Sequence, residues 1–193
     1  MSANRLIHPV GPGDHVSGPQ DAPVTLVEYG DFECVYSRIA HPVVKAAKRQ
    51  LGDMLRFAFR HFPLSEIHPH ARLAAEAAEA AAAQGRFWEM HDVLLVYQNA
   101  LKHDDLVGYA RALGLDVERV ARELRAGTYA ARVRQDFRRG VTSDVSATPT
   151  FFVNGARYDD SWTDVQSFVR ALRDAASLPL LSGPLNADAS QNL

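Results

Sequence analysis

At 193 residues and 47% hydrophobic content, the chain is long enough for one domain with a sizeable core. A formal net charge of −2 leaves no basic footprint for nucleic acid, and no apolar run approaches the length of a membrane span. The single cysteine, Cys34, excludes an internal disulfide, so any redox chemistry has to be intermolecular.

Residues 1–19 are rich in Gly and Pro and read as an irregular lead-in, with the fold starting near Asp21-Ala22-Pro23. The start lacks the charged-then-apolar plan of a secretory signal, which predicts a cytoplasmic protein and leaves a removed leader open. Val24–Tyr29 is β-branched and aromatic enough for a buried strand, Gly30-Asp31 breaks it, and from Val35 a helical period begins. Gly52-Asp53 then turns the chain into a second strand, Met54–Phe62, where Leu55, Phe57 and Phe59 alternate with Arg56, Ala58 and Arg60. Together these form a βαβ unit with parallel strands.

From Pro63 to about Gly140 every signal is helical. Ala71–Gln84 is alanine-rich and stopped by Gly85; Arg86–Gln98, Asp104–Leu113, Asp116–Ala126 and Tyr129–Val141 follow, two of them ended by Gly114 and Gly127. Strands return with Thr150–Val153, a hairpin turn at Asn154-Gly155, and Ala156–Tyr158. An amphipathic helix over Thr163–Ala176 closes the domain, and the tail beyond it has little to bury.

Cys34 stands at the junction of the first strand and helix. The free N–H groups of the first helical turn, those of Tyr36 and Ser37, are expected to point at its sulfur, and the macrodipole favours a thiolate there. Its place among Asp31, Glu33 and Arg38 predicts partial exposure. Ser37 is expected to donate its hydroxyl to the thiolate, although it cannot itself attack sulfur. Glu28, six residues before Cys34, is a carboxylate in a strand buried on both faces, which is costly unless it has a partner or a task. Pro42, inside the helix, removes a backbone bond and is predicted to kink it. His41, His61, His68 and His70 match no zinc signature, so no metal site is predicted.

On these residues the chain resembles the DsbA-like branch of the thioredoxin superfamily. The turn Asp31-Phe32-Glu33-Cys34-Val35-Tyr36-Ser37 is similar to that family's active-site turn, and Ser146–Gly155 to its cis-proline loop and following strand. The likeness spans roughly residues 12–178 and departs at one point: Ser37 stands where the family has its second cysteine. It implies an α/β, thioredoxin-like fold, a mixed sheet flanked by helices and split by an all-helical insertion. Residues 20–62 and 141–178 are then the two halves of the domain, 63–140 the insertion, and 1–19 and 179–193 irregular termini.

The resemblance also implies that Cys34 is the nucleophile, that Glu28 exchanges protons, and that a cis Thr148–Pro149 bond aligns the partner, with Val35 and Tyr36 on the substrate side. No bound cofactor is expected. The partners are protein thiols or disulfides, or glutathione as co-substrate, with neither nucleic acid nor membrane; the oligomeric state is open. With serine at 37, release of a mixed disulfide needs an outside thiol, or the protein stays attached to what it captures. Both a natural serine and a substituted cysteine fit this pattern. Two rival readings are a glutathione-dependent transferase or isomerase that uses Ser37, and a non-enzymatic peptide-binding module acting through the groove between insertion and core.

Overall fold

The computed structural model describes residues 4–177. Five strands, β1 (His15–Ser17), β2 (Val24–Gly30), β3 (Leu55–His61), β4 (Thr150–Val153) and β5 (Ala156–Tyr158), form one mixed sheet ordered β1-β3-β2-β4-β5. Strands β2 and β3 are parallel, with Val24 opposite Leu55 and Gly30 opposite His61, and the helix between them is α1 (Val35–Leu51). On the other side of β2, β4 runs antiparallel and sets Glu28 opposite Phe151. Asn154 and Gly155 both take positive φ, 49° and 82°, so the β4–β5 hairpin closes through a tight turn that suits the strand twist.

Period-two alternation divides β2 between two packed faces. Val24 and Leu26 join the larger core with Phe32, Phe57, Phe59 and the inner side of α1, whereas Val27 and Tyr29 pack with Ala58, Phe62 and Phe152. Burial on both sides is why the strand reads as a continuous apolar run. Glu28 falls on the face of Leu26, towards the larger core.

Five helices separate β3 from β4: α2 (Ala71–Ala82), α3 (Phe87–Val96), α4 (His103–Ala112), α5 (Val117–Ala126) and α6 (Ala130–Thr142). The alanines of α2 let α3, α5 and α6 approach closely, so its small residues are almost all buried. At the seam between α6 and β3, Gly140 has no room for a side chain: a Cβ there would lie 2.6 Å from the Phe62 ring. A seventh helix, α7 (Val165–Ala175), packs on α1.

The N-terminal stretch is not the irregular lead-in expected. β1 pairs antiparallel with β3, and Leu6 and Arg5 reach the β5 hairpin. The reason lies in Arg60, whose side chain is fully buried inside β3. Its guanidinium grips Asp14 through two bonds of 2.8 and 2.9 Å, and also donates to the Tyr29 hydroxyl and to the carbonyls of His8 and Pro9. A buried cation is tolerable only with such partners, so the lead-in is folded over it. A three-residue strand is too short for periodicity to reveal. Helix α1 runs through Pro42 without interruption. The expected irregular tail, 179–193, lies outside the described residues.

Candidate functional site

Strand β2 ends at Gly30, and a four-residue turn carries the chain to Cys34, the N-cap of α1. Three hydrogen bonds fasten that turn through Asp31, which is 1% exposed. Its carboxylate accepts from the amides of Glu33 and Leu64 and meets Nδ1 of His68, each at 2.8 Å. Gln98, just past α3, donates to the carbonyls of both Phe32 and Cys34 at 2.8 Å. Glu33 is engaged by the amide and ring of His70. Asp31 was read as a sign of exposure; it is instead the buried clamp of the turn. Two of its three partners lie 33 and 37 residues away, and Gln98 lies 64 from Cys34, beyond any local sequence signal.

Cys34 is 5% exposed rather than partly open. Its Sγ donates to the main-chain carbonyl of Thr148 at 3.2 Å, across a cis Thr148–Pro149 peptide bond. The helical amides do not reach the sulfur as expected, and Cys34 makes no side-chain cap. Its extended backbone, φ −77° and ψ 123°, sends the side chain towards the loop at 146–150. Ser37 does not hold the sulfur either: it is fully buried and its Oγ accepts from the Asp31 amide at 3.2 Å. Sequence alone assigned the hydroxyl to the nearer partner along the helix, but the turn folds back over it.

Two buried polar atoms at the site lack a hydrogen-bond partner among the described residues: Oε1 of Glu28 and Oγ1 of Thr148. Burial pushes the Glu28 carboxyl up to about 8, since no cation or donor offsets its desolvation. Beside the buried cysteine the first turns of α1 expose Val35, Tyr36 and Ile39 together with Arg38. A mainly apolar cleft of about 610 Å³ opens within the helical region and reaches the loop before β4, lined by Leu64, Ile67, Phe137 and Ser146.

The histidines other than His8, which meets the Thr142 hydroxyl, lie against carboxylates. His68 and His70 bond the carboxylates of the Cys34 turn, while His15 and His61 both bond Oε1 of Glu79, at 2.8 and 2.9 Å. His41 and His91 approach Asp92, which Lys45 also binds at 2.8 Å. Burial would raise the Glu79 carboxyl, yet the two imidazole bonds more than offset it and hold it well below the usual range.

A mixed sheet with a helical insertion, a cysteine at the mouth of α1 and a cis-proline loop against its sulfur define the thioredoxin-like fold in its DsbA-like form. Residues 11–172 match the family model described as thioredoxin, and the chain belongs to that family.

Among solved structures, oxidised BdbD from Bacillus subtilis shares the fold with a TM-score of 0.78 at 24% identity, covering 91% of this chain and 97% of that one. A thioredoxin-like oxidoreductase from Silicibacter pomeroyi gives a TM-score of 0.74 at 27% identity, over 86% of this chain and 94% of that one. A protein named Na(+)/H(+) antiporter NhaA 1, from Salinispora arenicola, is 50% identical over 158 residues, 81% of this chain. This chain spans only 24% of that protein's length.

Proposed function

We propose that the chain catalyses thiol–disulfide exchange through one nucleophile, Cys34. The observation that carries this reading is the 3.2 Å contact between Sγ and the Thr148 carbonyl beside the cis bond. A partner lying extended along residues 147–149 would pair with that backbone and bring its sulfur to Cys34. In the forward step the Cys34 thiolate attacks one sulfur of the partner disulfide; the old S–S bond breaks, a mixed disulfide forms, and the departing thiolate takes up a proton. Glu28, protonated over much of the neutral range, would accept or return the proton that Cys34 loses and regains. Val35 and Tyr36 offer the apolar contact for the partner's chain.

Ser37 cannot resolve the mixed disulfide, so an outside thiol does so, and glutathione or a second protein thiol fills that role. Any compartment that keeps thiols reduced supplies them. A transferase in which Ser37 activates glutathione is disfavoured, because its hydroxyl is fully buried and already engaged by the Asp31 amide. No helix among the described residues is long and apolar enough to cross a membrane. We therefore assign the transport named in the antiporter relatives to the length of those proteins that this chain does not match.

Incubation with oxidised glutathione followed by intact-mass spectrometry tests the reading. One glutathione per chain is expected, lost in Cys34→Ala and released by added thiol. Ser37→Cys is expected to convert the adduct into an internal disulfide. A chain that gains no adduct under native conditions, yet gains one when unfolded, overturns the proposal.

A further inference from the structure

The outside thiol that Cys34 requires is not specified by the exchange chemistry, but a second cleft beside the turn bears on it. About 330 Å³ in volume, it is bounded by Glu33 and Val35, the residues on either side of Cys34, and by the segment at 98–102 after α3. Its ionisable lining consists of Arg38, Lys102, Glu33 and His70. Glu33 is already engaged: Oε2 accepts the His70 amide at 2.6 Å, and Oε1 meets its ring at 2.9 Å. Arg38 and Lys102 enter no ion pair among the described residues. Asn99 adds a neutral amide on the same wall.

The cleft therefore offers two cations outside any ion pair and one occupied carboxylate along one wall of the turn that carries Cys34, whose sulfur faces Thr148 next to it. Cations so placed attract an anion and raise its local concentration. We propose that this cleft binds the carboxylate of a small acidic thiol, or of its disulfide, and so selects the co-substrate that loads and unloads Cys34. The inference rests on the exchange reading above. In the loading step Cys34 attacks one sulfur of the acidic disulfide, forming the mixed disulfide and releasing one acidic thiolate, which takes a proton. In the unloading step an acidic thiolate attacks the other sulfur of the mixed disulfide, and Cys34 leaves and regains its proton. No net oxidant is needed, because one disulfide is exchanged for another. Arg38, with its planar fork, suits a carboxylate held by two bonds, while Lys102 acts as a point charge.

The test uses the full chain and three small symmetric disulfides: dithiodiglycolate (anionic), bis(hydroxyethyl) disulfide (neutral) and cystamine (cationic). Rates of adduct formation at Cys34 are measured by quenched mass spectrometry and divided by the rates of a neutral free thiol with the same reagents. The expected order is anionic, then neutral, then cationic. Arg38→Gln and Lys102→Gln should each lower the anionic-to-neutral ratio about fivefold, as for one well-placed exposed ion pair. Added salt should compress that ratio in the parent chain alone. A ratio that is the same in the parent and both variants overturns the proposal while leaving the exchange reading intact. Absence of adducts with all three reagents overturns the exchange reading as well.

Discussion

Two polar regions flank the central strands, and they are built on opposite plans. Behind the sheet, Arg60, Asp14 and Tyr29 form a closed cluster in which the guanidinium has five bonds to carboxylate, hydroxyl and carbonyl oxygens. At the Cys34 turn the backbone is equally well clamped, by Asp31 and Gln98, but one buried side-chain atom of β2, on Glu28, and one of the facing loop, on Thr148, are left without partners among the described residues. The closed cluster locks the N-terminal stretch to the sheet. The open one leaves polar atoms of β2 and of the loop at 148 with capacity to spare. Buried polar groups that are all satisfied serve structure, whereas unsatisfied ones next to a nucleophile are destabilising and persist where chemistry uses them.

This contrast can be broken from either side. The largest effect is expected at the closed cluster: Arg60→Met should lower unfolding free energy by about 3 to 5 kcal/mol, by leaving the Asp14 carboxylate buried and unpaired. Chemical denaturation measures this, and a loss near zero would mean that the cluster does not hold the N-terminal stretch.

Next comes Glu28. Its folded carboxyl is raised from 4.5 to about 8, so between those values the folded state keeps a proton that the unfolded chain has released. Stability from this group is full below pH 4.5 and lost as pH rises through about 8. The loss between pH 4.5 and 7 is roughly 3 kcal/mol if the shift is fully expressed. Glu28→Gln should abolish that slope, and in the exchange assay it should slow adduct release and flatten the pH dependence. A variant whose stability runs parallel to the parent across this range would show that Glu28 is not held protonated.

The smallest effect belongs to the clamp. Gln98→Ala removes the donor shared by the carbonyls of Phe32 and Cys34 and should cost about 1 kcal/mol. Its adduct rate should fall more than that loss of stability alone explains, because the turn then holds Cys34 less firmly against Thr148. Equal adduct rates in parent and variant would remove Gln98 from the site.

Much of the architecture follows from patterns local to the chain. The central strands are apolar because both faces are covered, the stop glycines mark the insertion helices, and Asn154-Gly155 specifies its hairpin. The position of Cys34 at a strand-to-helix junction was equally legible, as was the oddity of an acid in β2. Side-chain partners were not. Ser37 and the helical amides were assigned to the sulfur because they are its neighbours in sequence, yet the thiol turns to Thr148, 114 residues away.

What the sequence determined by itself was composition and periodicity: one cysteine, a buried acid, two sheet halves and a helical insertion between them. Only the tertiary structure decided which atoms meet. It turned the Gly- and Pro-rich start into a strand over Arg60, buried Asp31 as a clamp, and set the sulfur against the loop at 148–149. The physical reason is range: backbone patterns repeat over a few residues, whereas a buried charge or thiol is satisfied by whatever donor or acceptor the packed fold brings within about 3 Å.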